Sequence, residues 1–188
     1  MPALPPIAPS DVGVTGTTKG TAHITLFISI VETLVHRGST LGAVTMPDLV
    51  AMNATTSRKI LDEPAQPLVE GGYALRVVHT TGRRSGERRA TPLGVVQVDG
   101  ALHLISPDRS RAWVRNIEAD PHVELAPGED PRRAVPADPE PAARAISAYL
   151  KAMQVPWALR AFPMSPEASH EEITEHLDSI AVYRLDPR

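Results

Sequence analysis

The spacing of apolar and polar positions changes along the chain and predicts a region of short β-strands in its second half. From Gly72 onward, short apolar segments rich in β-branched residues are separated by Gly, Pro and Asp, which is typical of strands joined by turns. Asp99-Gly100 predicts a tight hairpin. The predicted strands are YALRVVHT (73–80), ATPLGVVQV (90–98), ALHLIS (101–106), PHVELA (121–126), RRAVPA (132–137) and SIAVYRL (179–185).

Other segments predict helices, from their capping residues and from apolar residues three and four positions apart. Pro47 and Asp48 suit the first turn of a helix, and Asp138 before Pro139 is a second start signal. Residues 22–36 are apolar, but the run is too short to assign to a helix or a strand. The predicted helices span residues 46–63, 109–119, 139–153 and 165–177, and the last of them is expected to start at Ser165.

Strands interspersed with helices indicate an α+β domain built as a small barrel or sandwich. The first 20 residues are rich in Pro, Gly and Thr, whereas Met46 begins a predicted helix and suits an initiator methionine. We therefore expect an N-terminal extension at residues 1–45, disordered or dispensable, followed by one barrel domain at residues 46–188.

Composition narrows the function classes. The chain has 188 residues, 42% of them apolar and 22% charged, with a net charge of −3. This balance argues against a general nucleic-acid or membrane-surface binder, which needs a basic face. The apolar run at residues 24–35 is too short for an integral membrane segment and contains Glu32. The absence of cysteine excludes thiolate chemistry and fits a cytoplasmic location.

A cluster of arginines is the strongest chemical signal. The stretch HTTGRRSGERRATPLG (79–94) places Arg83, Arg84, Arg88 and Arg89 around a turn flanked by glycines. Guanidinium forks and backbone N–H groups that point outward together suit a phosphate or a carboxylate. The residues alone leave open whether an anion binds there or water simply solvates an exposed turn.

The remaining candidates are weaker. Trp113 is more typical of a core residue than of a cofactor contact, and Asn116 one turn later suits either a ligand or a loop. His170 and His176 lie six residues apart, which separates them by about 120° around a helix. No metal site is therefore predicted. Neither a nucleophile elbow nor a glycine-rich nucleotide loop is present.

Two motifs together resemble a known family. TTGRRSGERRATPLGVVQVDGALHLIS, followed closely by AWVRNIEADPHVEL, resembles the deazaflavin-dependent nitroreductases, also described as quinone reductases that depend on coenzyme F420. The resemblance implies a split β-barrel of the flavin-reductase (FMN-binding) type and an oxidoreductase that uses F420. It covers residues 72–126 well and leaves residues 1–45 uncovered.

The resemblance also implies roles for particular residues. One group would hold the anionic phosphate-and-glutamate tail of the deazaflavin, and a second would border its ring. Catalytic residues are not identified, although Tyr149 is a candidate by type. The implied cofactor-binding residues are Arg83, Arg84, Ser85 and Arg89 at the tail, and Pro92, Gly94, Ser106, Trp113 and Asn116 nearer the ring.

Two departures from the family pattern leave alternatives open. The segment PDRSRA before Trp113 is short, and some members carry an aromatic residue where Gly94 stands. The leading hypothesis is a reductase that passes a hydride from reduced F420 to a quinone, an activated alkene or imine, or a nitro compound. The alternatives are a non-catalytic F420 carrier and a barrel that holds FMN. A small-molecule substrate is expected in the first case, and a homodimer is compatible with the barrel type.

Overall fold

The computed structural model describes residues 46–128, 131–153 and 155–188. The expected extension at residues 1–45, and with it the unassigned run at 22–36, lies outside the described residues. The described part alternates strands with helices, as the apolar pattern predicted. Its strands are β1 (Tyr73–Thr81), β2 (Arg88–Val98), β3 (Ala101–Ser106), β4 (His122–Ala126), β5 (Pro131–Pro136) and β6 (Ala181–Pro187).

The strands form a closed antiparallel barrel in the order β1-β2-β3-β6-β5-β4. Pairing of β1 with β4, which places Val78 opposite Leu125, closes the ring. Side chains alternate between the two faces of each strand, and the inward set forms one apolar cluster. The α+β barrel is therefore confirmed. The strand contribution to this cluster is Val78, Val95, Leu102, Leu104, Val123, Leu125, Ala134, Ala181, Tyr183 and Leu185.

The predicted hairpin between β2 and β3 is confirmed. Asp99 and Gly100 both have positive φ, 53° and 72°, as a two-residue turn of the hairpin type requires. The side chain of Glu70 braces this turn, because its two carboxylate oxygens accept from the backbone N–H groups of Asp99 at 2.6 Å and Gly100 at 3.1 Å.

The helices lie outside the barrel and near its ends. The apolar stripe predicted on the third of them is buried, with Ile146 and Leu150 at 0% and 1% exposure. Asp138 is its N-cap residue and Pro139 its first residue. The helices are α1 (Met46–Asp62), α2 (Ala112–Ala119), α3 (Pro139–Ala152), α4 (Pro156–Leu159) and α5 (His170–Glu175).

The predicted start of α5 at Ser165 is wrong. The helix begins after Ser169, whose hydroxyl accepts a hydrogen bond from the backbone N–H of Glu172 at 3.2 Å. The hydroxyl of Ser165 accepts instead from the N–H of Glu167, which closes a separate turn. Both serines have capping potential, but Ser169 is followed by a glutamate three residues later, the signature of a capping box.

Candidate functional site

The arginine turn (residues 82–89) consists of the loop between β1 and β2 and the first two residues of β2. Its backbone closes on itself, since the N–H of Gly82 donates to the carbonyl of Glu87 at 2.8 Å and the N–H of Gly86 donates to the carbonyl of Gly82 at 2.8 Å. Gly86 has a φ of 69°, in the left-handed region that glycine adopts without strain. The turn is therefore a defined loop that presents its side chains to solvent.

The four arginines of this turn fall into two pairs with different surroundings. Arg88 forms an ion pair with Glu124 at 2.9 Å, and Arg89 forms one with Glu87 at 2.6 Å. Arg83 and Arg84 are exposed, and their guanidinium groups have no partner within the part of the chain that the structure describes. Two of the four positive charges are thus already matched, and the two consecutive ones remain available to an external anion.

The backbone N–H groups of the turn are mostly occupied, unlike the outward-pointing set that the glycine spacing suggested. The N–H of Ser85 donates to the carbonyl of Gly82, and that of Glu87 donates to the hydroxyl of Ser85 at 3.3 Å. The N–H of Arg83 is also bonded, to a side chain of α2. The groups of the turn that can still contact an external molecule are therefore its guanidinium groups and the hydroxyl of Ser85, which also accepts from Arg89 at 3.3 Å.

Asn116 fastens the arginine turn to α2. Its Oδ1 accepts the backbone N–H of Arg83 at 3.2 Å, and its Nδ2 donates to the hydroxyl of Thr80 at 3.2 Å. The side chain is 6% exposed, and that of Thr80 is 3% exposed. Buried polar groups of this kind need their partners. Asn116 on α2 thus holds the arginine turn in position, a role that the sequence motif did not reveal.

A second tie joins the same two elements. The hydroxyl of Thr81 donates to Oδ2 of Asp120 at 2.8 Å. This hydrogen bond, together with the backbone N–H of His122, lowers the pKa of the Asp120 carboxyl below its ordinary value. With Asn116 and Asp120 both linked to the end of β1, the arginine turn rests on a fixed support.

Pro92 and Gly94 lie on β2, with their positions on the outer side of the barrel. Gly94 is buried because the ring of Tyr73, from the neighbouring strand, lies directly over it: a Cβ at Gly94 would lie 2.7 Å from Cζ and 2.9 Å from the hydroxyl oxygen of Tyr73. The glycine is therefore needed for close approach of an aromatic ring. The aromatic surface beside this strand comes from β1 and not from β2.

Tyr73 begins an aromatic row that continues onto α3. Its ring meets that of Tyr149 edge-on, with centroids 5.4 Å apart, and Tyr149 meets Phe162 at 5.8 Å. Burial raises the pKa of both phenols, and the positive charge of Arg111 partly opposes this rise at Tyr149. Neither hydroxyl has a hydrogen-bond partner among the described residues. Tyr73 and Arg111 are therefore neighbours of the site that sequence reasoning missed.

Ser106 and Trp113 are fully enclosed, unlike the arginine turn. Ser106 is 0% exposed, and its hydroxyl donates to the carbonyl of Asp108 at 2.7 Å. Trp113 is 5% exposed and packs edge-on against Tyr183 in the barrel core. The structure thus brings Arg83, Arg84, Ser85, Arg89 and Asn116 together, places Pro92 and Gly94 farther along β2, and encloses Ser106 and Trp113 in the interior.

Comparison with known proteins adds the family. The model of the F420H(2)-dependent quinone reductases matches residues 54–158, more than half of the chain. This range contains the arginine turn, Asn116 and Tyr149. The description names F420H(2), so the alternative of a barrel that holds FMN receives no support. No curated protein matches the chain.

The solved structures that match this chain have low sequence identity to it and low TM-scores. A structure described as an F420-H2 dependent reductase has 19% identity and a TM-score of 0.42, covering 64% of this chain and 99% of its own. A second, described as an F420 reductase, has 16% identity and a TM-score of 0.35, covering 70% and 92%. A conserved hypothetical protein from Mycobacterium tuberculosis has 16% identity and a TM-score of 0.42, covering 61% and 72%.

The assignment rests on the family match rather than on these distant structures. Within the described residues, no helix is long and apolar enough to cross a membrane. The chain belongs to the F420H2-dependent quinone reductase family, a family of oxidoreductases.

Proposed function

We propose that this protein binds reduced F420 through its arginine turn and catalyses reduction of a small electrophilic acceptor, in the class of quinones, activated alkenes or imines, and nitro compounds. Bound F420 would supply the hydride, because such cofactors carry the redox chemistry that no amino-acid side chain provides. The chain would contribute binding, orientation and exclusion of water.

The observation that carries the proposal is the pair of guanidinium groups of Arg83 and Arg84, which have no partner among the described residues. Exposed arginines without a counter-charge on a preorganised loop fit an anionic ligand, because each fork can donate two parallel hydrogen bonds to a phosphate or carboxylate. Arg89 and Ser85 would complete the contacts to the cofactor's tail. Asn116 would act indirectly, by holding the backbone of Arg83 in place.

We place the ring of the cofactor and the acceptor farther along β2, beside Pro92 and Gly94. Gly94 lies five residues beyond Arg89, which corresponds to about 17 Å along a strand. The unpartnered hydroxyls of Tyr73, which lies over Gly94, and of Tyr149, which packs against Tyr73, would donate a hydrogen bond to an acceptor oxygen on which negative charge develops. Their raised pKa keeps both phenols protonated, as this role requires.

Fluorescence titration of the protein with F420 and with FMN tests the cofactor. We expect F420 to bind, with an affinity that falls with salt because exposed charges are screened. Arg83→Ala and Arg84→Ala should each weaken it about tenfold, the effect of losing one charge-assisted hydrogen bond. Arg188→Ala removes the same charge from an exposed position after β6 and should leave the affinity unchanged. Failure of F420 to bind would refute the proposal.

Oxidation of reduced F420 by menadione or an enone tests catalysis. We expect the protein to accelerate this oxidation, and Tyr149→Phe to lower the rate more than the affinity for F420. Binding of F420 without turnover of any acceptor would contradict the reductase and would favour a carrier.

A further inference from the structure

A pocket of about 440 Å³ lies between α2, β5 and β6, away from the arginine turn. Most of its wall is apolar and comes from the outer side of the two strands and from the first turns of α3. Ligand pockets have this composition, with a few polar groups that fix orientation. The apolar lining includes Ile117, Val135, Ala142, Leu177, Ile180 and Val182.

The pocket and the arginine turn lie on opposite flanks of α2. Asn116, which holds the turn, and Glu118, which lines the pocket, are two residues apart. Two residues correspond to about 200° around a helix, so their side chains leave α2 in nearly opposite directions. A ligand in this pocket would therefore not contact the residues that we assign to the cofactor's tail.

Two arginines give the pocket an excess of positive charge. Arg109 and Arg133 line it together with one carboxylate, that of Glu118. The guanidinium group of Arg109 makes one hydrogen bond, to the carbonyl of Leu177 at 3.1 Å. That of Arg133 has no hydrogen bond or ion pair in the described part of the chain. Arg133 is thus the charge with most capacity left for a ligand.

We propose that this pocket is a second small-molecule site, and that it takes an amphipathic organic anion with a compact apolar body and one carboxylate. The apolar body would pack against Val135, Ile180 and Val182. The carboxylate would accept two parallel hydrogen bonds from the guanidinium group of Arg133. This site would be separate from the binding of F420, and its occupant would be a ligand other than the cofactor.

Calorimetric titration with 2-naphthoate tests the proposal, with uncharged naphthalene-2-carboxamide as the matched ligand. We expect the carboxylate to bind at least tenfold more tightly than the amide. Arg133→Gln should reduce the affinity for 2-naphthoate about tenfold, since it removes charge-assisted hydrogen bonds. Val135→Trp, at a half-buried position of the wall, should block binding by filling the space.

Two controls separate this site from the cofactor site. Arg83→Ala should leave 2-naphthoate binding unchanged, and Arg133→Gln should leave F420 binding unchanged. The proposal is overturned if wild-type protein does not bind 2-naphthoate, if the amide binds equally well, or if Val135→Trp binds like wild type while retaining its melting temperature. Binding that Arg83→Ala weakens as much as Arg133→Gln also overturns it, because the ligand would then occupy the cofactor site.

Discussion

Replacing Gly94 with alanine tests the close approach of the Tyr73 ring to β2. We propose that the ring of the cofactor binds beside this part of β2. The added Cβ would meet the ring of Tyr73 at Cε2 and would lie 2.7 Å from Cζ and 2.9 Å from the hydroxyl oxygen. These distances are below the sum of van der Waals radii, so the ring must move. Its movement is restricted, because the same ring packs edge-on against Tyr149.

The expected cost follows from three terms. Overpacking of a filled site costs about 1–3 kcal/mol, and partial loss of the contact between Tyr73 and Tyr149 costs up to about 1 kcal/mol. Part of this cost is offset by about 0.5–1 kcal/mol, because alanine loses less conformational freedom than glycine when the strand folds. We expect a net destabilisation of about 1–2 kcal/mol, which lowers the melting temperature of a domain of this size by roughly 2–8 °C.

Thermal and chemical unfolding of a double-mutant cycle measures this coupling. In the Tyr73→Ala background the clash is absent, so Gly94→Ala should change from destabilising to neutral or stabilising. Tyr73→Phe is the matched control, because it keeps Cε2 and Cζ and should leave the cost of Gly94→Ala in place. An equal cost of Gly94→Ala in the wild-type and Tyr73→Ala backgrounds would refute the reasoning, since the two changes would then be independent.

Two further predictions concern single side chains. Asn116→Leu should destabilise the protein by about 1–3 kcal/mol and weaken F420 binding without removing any charge, because Thr80 and the N–H of Arg83 lose their partner. Chemical unfolding measures the first effect and F420 titration the second. An unchanged F420 affinity would contradict the role of Asn116 as a support for the arginine turn. Burial lowers the pKa of His103, so the unfolded state takes up its proton first, and stability should fall as the pH drops below about 6.5. Between pH 7 and 5, the melting temperature should fall less in His103→Leu than in wild type, whereas in His170→Gln, at an exposed position, it should fall as in wild type. An equal fall in His103→Leu and wild type would contradict the assignment of this pH dependence to His103.

The sequence alone predicted the strands, the hairpin at Asp99-Gly100 and the family. These features depend on short-range properties: alternation along a strand, the positive φ of a two-residue turn and the order of residues in a motif. The arginine cluster was visible for the same reason. The error at Ser165 is also local in origin, because two serines offered a cap and only Ser169 has a glutamate three residues later, the capping-box signature that the prediction overlooked.

Tertiary structure decided which partners each candidate residue has. Closure of the barrel brings Glu124 of β4 to Arg88, and this contact leaves Arg83 and Arg84 as the pair available to an anion. Asn116 became a support for the turn, and Tyr73 became the ring that requires Gly94, only when distant segments were paired in register. The physical reason is that burial and hydrogen bonding between residues tens of positions apart depend on the register and closure of the whole barrel, which no local pattern encodes.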